Sequence, residues 1–251
     1  MTSHPEPTQV SSPATGGLPT SWQRLLALSG VAFALLFVVG WFASGGDAPD
    51  YTAADQDWAD WATDNQWKSR IGAFVMLLAG FVFLHFVGTI RSVLGSAETR
   101  GRGSAQLARV AFAGALIGMT GMSIALVMVS AATSEGADAD PMVSRAVATA
   151  SAGPFLVSAM GFAAMLMAAG LLTLRTGAFA RWTGFVALVG AVSFLIAFLT
   201  LLAGTGKDSV FGYGFFPGVL ALVIWSIATS ITRYRAVATP AREVVATEAD
   251  T

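Results

Sequence analysis

The chain has 251 residues, 55% of them hydrophobic and only 12% charged, with a mean hydropathy of +0.66, and no soluble fold hides that much apolar surface behind about half the usual charge. A net charge of −1, with no basic cluster of useful length, excludes a nucleic-acid partner, since a polyanion needs concentrated positive charge on an exposed face. Cysteine is absent, which excludes disulfides, zinc–thiolate sites, iron–sulfur clusters and thiol nucleophiles.

Residues 1–20, MTSHPEPTQVSSPATGGLPT, are rich in Pro, Ser, Thr and Gly and are expected to form a disordered leader. Six apolar runs follow, at about 25–43, 71–90, 110–132, 154–174, 182–203 and 214–232. Each matches the ~20 residues with which a helix crosses ~30 Å of hydrocarbon. None contains Asp, Glu, Lys or Arg, as a cost of at least ~2.5 kcal/mol per central charge requires. The expected fold is therefore all-α: a polytopic membrane protein with six transmembrane helices in an antiparallel bundle over residues 21–235, followed by a disordered tail at 236–251. The first run is read as a retained span. A signal peptide cleaved within WFASGGDA (41–48) is the rival, but the polar leader is long, the apolar run exceeds a signal core, and Arg24 alone supplies positive charge.

Between the first two runs, DYTAADQDWADWATDNQWKSR (50–70) predicts one short amphipathic outer helix. Thr52 with Asp55 three residues later fits a helix start. Trp58 and Trp61 then share one face, and Asp57, Asp60 and Asp64 a neighbouring one. Spread over ~10 Å of a single rigid helix, the three carboxylates make a poor metal cage. The expectation is an interfacial helix with its tryptophans at headgroup level and its aspartates offered to water or to a partner.

The second run carries FVFLHFVGTIR (81–91), with one histidine among Phe, Val and Leu. The other histidine, His4, lies in the leader, so neither a proton relay nor bis-histidine haem ligation is available within the chain. His85 sits six residues, ~9 Å, before Arg91. Thr89 at i+4 shares its face, and its hydroxyl is expected to bond the imidazole. His85 is thus read as a neutral packing residue. The next connection, RSVLGSAETRGRGSAQLAR (91–109), reads as a flexible loop whose arginines fix topology, with contact to anionic headgroups as the second reading.

In the third run, AGALIGMTGMSIA (113–125) places Gly114, Gly118, Gly121 and Ala125 on one stripe. Small residues at this spacing let a second helix approach closely, either within the chain or in another copy. Pro154 and Pro217 are expected in the first turns of the fourth and sixth spans, where a missing N–H costs nothing. Thr120, Ser123, Ser158, Ser193, Thr200, Ser226 and Thr229 lie within spans without a base to activate them. They read as hydroxyls bonded to their own helix or a neighbour. AGTGKDS (203–209) lacks the spacing and the preceding strand of a phosphate loop.

Arg24, Arg91, Arg100, Arg102, Arg109, Arg175, Arg181, Arg233, Arg235 and Arg242 fall on one side of this topology, and only Lys68, Arg70, Arg145 and Lys207 on the other. The positive-inside rule then places both termini in the cytoplasm. The short RTGAFAR (175–181) makes the fourth and fifth spans antiparallel neighbours. With RTGAFARWTGFVALVGAV (175–192) at this corner and an acid-rich outer segment after the first span, the chain resembles a broad group of uncharacterised six-helix bacterial membrane proteins. Ala180 stands where their turn carries proline. The resemblance implies architecture and a bacterial plasma membrane; it implies no activity and no site residues.

No catalytic, cofactor or metal constellation is found. The expected function is non-enzymatic, through membrane or envelope partners: the lipid bilayer, and a protein partner or a second copy in a homo-oligomer. A carrier for a small neutral or apolar solute without ion coupling is the alternative, and needs a cavity between helices. A lipid-acting membrane enzyme is the second alternative, and needs polar groups converging at one headgroup level.

Overall fold

The computed structural model describes residues 20–44, 48–49, 53–100, 104–135, 141–203 and 210–238. The expected leader, Thr52, the lysine-bearing segment 204–209 and most of the expected tail lie outside the described residues. Among the described residues helix is the only regular secondary structure, with six helices long and apolar enough to cross a membrane.

Helix α1 (Thr20–Ala27) passes through a single turn residue, Leu28, into α2 (Ser29–Ala43). The Leu28 amide bonds the carbonyls of Arg24 and Leu25, so the first span is helical from end to end. Helix α3 (Asp55–Arg100) has 46 residues, about 69 Å at 1.5 Å per residue, more than twice the hydrocarbon thickness. Nothing interrupts it, because residues 55–100 contain no proline. The expected outer helix is therefore the first turns of the second span and no separate element. At the other end, α3 runs ten residues past Ile90, where a flexible loop is expected.

The reason lies in Glu98. Its carboxylate accepts the amides of Leu107 at 3.1 Å and Ala108 at 3.0 Å, two first-turn donors of α4 (Gln106–Glu135). The carboxylate both satisfies orphan N–H groups and opposes the positive end of the α4 dipole. Helix α5 (Pro141–Ala150) is short and amphipathic, and α6 (Ala152–Thr176) follows after Ser151. Gly177 ends α6 with φ of 66°, a left-handed cap whose amide bonds the Thr173 carbonyl at 3.0 Å.

After three intervening residues α7 (Arg181–Phe198) starts, and it gives way at Leu199 to the single turn α8 (Thr200–Ala203). Helix α9 (Val210–Ala238) begins earlier than its apolar run and ends later. Pro217 is thus well inside α9, beyond the first turn expected for it, whereas Pro154 does fall in the first turn of α6.

Each span packs on the next in sequence, in the order α2, α3, α4, α6, α7, α9, and α2 also touches α9. Aromatic side chains fill the centre and reach the surface of the bundle at Trp41, half-buried, and Phe216, exposed. Phe33, Phe37 and Trp41 of α2, Phe216 and Phe215 of α9, Phe194 of α7, Phe162 of α6 and Phe83 of α3 form a closed circuit of rings, with successive centroids 4.5 to 6.4 Å apart. Most of these contacts are tilted or edge-to-face, the arrangement that the ring quadrupoles favour. Trp225 joins the circuit from α9 through Phe86 at 5.7 Å.

Candidate functional site

Gly114, Gly118, Gly121 and Ala125 are all buried, and the stripe lies against α6 of the same chain. A methyl group added at Gly114 would stand 2.6 Å from the Met165 amide nitrogen and 2.7 Å from the Gly161 carbonyl oxygen. At Gly121 it would stand 2.7 Å from the Pro154 oxygen and from the Ser158 nitrogen. Gly161 faces back: a side chain there would run into the main chain of Gly118. The two backbones touch along this seam, as small-residue interfaces in lipid allow. The contact answers the question the spacing left open, since the stripe is consumed within one chain.

At the acidic end, the start of α3, the end of α4 and α5 form a small cap. Arg145 of α5 donates to Asp55 Oδ1 at 2.7 Å, and Ser144 Oγ donates to the Ala132 carbonyl at 3.1 Å. Trp58 is only 4% exposed, packed with Ala132 and Ala148, and Trp61 meets it edge-on at 5.8 Å. Trp58 is thus packed on protein where an open headgroup-facing ring was expected, and Trp61 is half-buried beside it. Helix α5 supplies an apolar partner, and burying a ring against protein competes with leaving it at the interface. Asp57, Asp60 and Asp64 are exposed, and Gln56 donates to Asp60 at 2.8 Å. Among the described residues no group of three His, Asp or Glu is placed to hold a metal.

His85 points out of the bundle, exposed, its ring edge-on to Phe81 at 5.2 Å. The expected bond from Thr89 to the imidazole is not made. Thr89 Oγ1 donates instead to the His85 main-chain carbonyl at 3.0 Å, the back-bonding open to any threonine in a helix. Thr229 behaves likewise toward Trp225 at 2.8 Å. Ser158, Thr200 and Ser226, expected to bond too, are buried with no hydrogen-bond partner.

Two cavities bear on transport. One, in the arginine-rich half among Phe86, Ile90, Ala111, Met165 and Trp225, has a volume of about 10 Å³. The other, about 620 Å³, is a groove on the outside of the bundle between α4, α6 and the end of α7, with Thr120 and Gly121 between apolar walls of Ile117, Ile124 and Val157. Neither joins the two ends of the molecule. Sequence reasoning missed Glu98, the Asp55–Arg145 pair and the aromatic circuit. Only the first carried a local signal, an acid placed before a helix start. Comparison with protein-family models, with curated proteins and with solved structures found no match.

Proposed function

We propose that this protein is a multi-pass membrane protein that acts by presenting its acidic cap to a partner at the membrane surface, without itself transporting or transforming a substrate. The carrying observation is the cap: Asp57, Asp60 and Asp64 lie exposed on a helix that is fixed from behind by Trp58 and tied to α5 through Asp55 and Arg145. A rigid acidic strip suits a basic partner, because little ordering entropy is lost on docking. The closed aromatic circuit counts against the carrier reading, and the groove of about 620 Å³ between α4, α6 and α7 lies on the outside of the bundle.

Arg24, Arg91, Arg100, Arg109, Arg175, Arg181, Arg233 and Arg235 belong to the end of the bundle opposite the cap. This distribution supports cytoplasmic termini with the cap outside, and the resemblance of the α6–α7 corner supports a bacterial plasma membrane. The test places a photocrosslinking side chain at position 60 of the full chain in intact cells. A discrete adduct that weakens with salt and is lost in the Asp57→Asn/Asp64→Asn variant is expected. An adduct indifferent to both, or solute uptake by vesicles holding the purified protein, overturns the reading. Single cysteines at positions 60 and 100 test the orientation: only position 60 is labelled from outside.

A further inference from the structure

Away from the cap, one outward face combines strong charge with apolar surface in the order an amphiphile would meet. Arg91 on α3 holds its guanidinium carbon 4.7 Å from the centroid of Phe112 on α4. Arg109 lies one turn from Phe112 on the same face of α4, and its Nη2 donates to the Ser104 carbonyl at 3.1 Å. Both arginines are exposed. Each guanidinium has five N–H donors, so these contacts fix the side chains and leave most donors unused.

Among the described residues neither arginine is paired with a carboxylate. The acid nearest in sequence, Glu98, has both oxygens on the amides of α4. Among the described residues the positive charge of this corner is thus not neutralised, and it is open to an anionic ligand. Toward the middle of the bundle the same two helix faces turn apolar. Leu84 and Gly88 precede Arg91 at i−7 and i−3, Ala113 and Leu116 follow Arg109 at i+4 and i+7, and all four are exposed. Gly88 has nothing within 4 Å of where a side chain would start, which leaves a shallow notch between the charges and the apolar surface.

We propose that this α3–α4 face binds an anionic phospholipid, with Arg91 and Arg109 on the phosphate of the headgroup and its chains along Leu84, Gly88, Ala113 and Leu116. Arginine suits the task because its planar fork matches phosphate oxygens in pairs. The inference is independent of the acidic cap and of which side of the membrane this face occupies.

The test equilibrates the full-length protein in detergent with equal amounts of phosphatidylglycerol and phosphatidylcholine and reads the retained lipid by native mass spectrometry. Phosphatidylglycerol is expected to dominate. Arg91→Gln and Arg109→Gln should each lower the retained ratio about fivefold, the equivalent of one surface charge. Arg91→Lys and Arg109→Lys should hold most of it, and Lys68→Gln, at the opposite end, should leave it unchanged. Circular dichroism and gel filtration establish that the glutamine variants are folded, and the lysine variants carry the comparison if they are not. A ratio unaltered in the double glutamine variant overturns the proposal. So does an equal fall with Lys68→Gln, or displacement of the lipid by soluble glycerol phosphate at equal concentration.

Discussion

Where α4 meets α6, main chain lies on main chain; around the aromatic circuit, side chain lies on side chain. Both solve the same difficulty. In lipid no hydrophobic force draws apolar helices together, so association rests on close packing. The seam gets its closeness by removing side chains at Gly114, Gly118, Gly121 and Gly161, and the circuit gets its contact area from large rings. They differ in what can give way. A peptide unit in a helix cannot step aside, whereas a ring has other rotamers. The two meet at Phe162, whose ring borders both Gly118 and Phe83.

The largest effect is expected at Gly161. Gly161→Leu drives a branched side chain into the main chain of Gly118, so little folded protein should survive, as read by monodispersity in detergent. Even Gly161→Ala should cost about 3 kcal/mol, the upper part of the range for overpacking, measured by unfolding in mixed micelles. Recovery of full stability in Gly161→Leu would show that the seam is looser than its geometry.

Gly118→Ala separates the two kinds of contact. The added methyl meets the Phe162 ring at 2.6 Å and is not first opposed by main chain. A loss of about 2 kcal/mol is expected, and Phe162→Leu in the same chain should return part of it, a coupling that a double-mutant cycle resolves. Gly114→Ala, whose methyl meets the Met165 nitrogen and the Gly161 oxygen, should show no such rescue. Strict additivity in the Gly118 pair would remove the distinction between seam and circuit.

Smaller effects belong to the open surface. Gly88→Ala meets nothing within 4 Å and should leave stability unchanged or raise it by about 0.5 kcal/mol through the lower backbone entropy of the unfolded chain. Smallest of all, His85→Phe should leave the unfolding midpoint where it is, because the imidazole bonds neither Thr89 nor any buried group. A marked loss there would reveal a partner for the ring in the membrane.

The spans were legible because an apolar run free of charge has one meaning in a chain this hydrophobic. The stripe from Gly114 to Ala125 was legible because helical spacing puts those residues on one face. Its partner was not: Gly161 sits in MGFAAMLM, where nothing local distinguishes it from the other glycines of the spans. The aromatic circuit draws eight rings from five helices, a pattern with no period along the chain. Trp58 was misplaced because the expectation weighed lipid against water and had no means of seeing α5 arrive from behind. Glu98 was read as a loop charge since the amides that donate to it lie nine and ten residues further on, at Leu107 and Ala108.

The order of the aromatic circuit also has a consequence for how the chain is made. Its rings on α2, α3, α6 and α7 already form one open arc, from Trp41 through Phe37, Phe33, Phe83 and Phe162 to Phe194, and Phe216 and Phe215 on α9 close that arc into a circuit. A nascent chain that has made these spans up to α7 holds Trp41 and Phe194 at the two ends of an open arc that α9 has yet to close. The α3–α4 corner needs no such wait, because Glu98 and the two amides that donate to it emerge within ten residues of each other. Biogenesis therefore has an early local event and a late global one, and truncation before residue 215 should yield a chain that inserts in the membrane and stays open to the quality-control proteases that survey it.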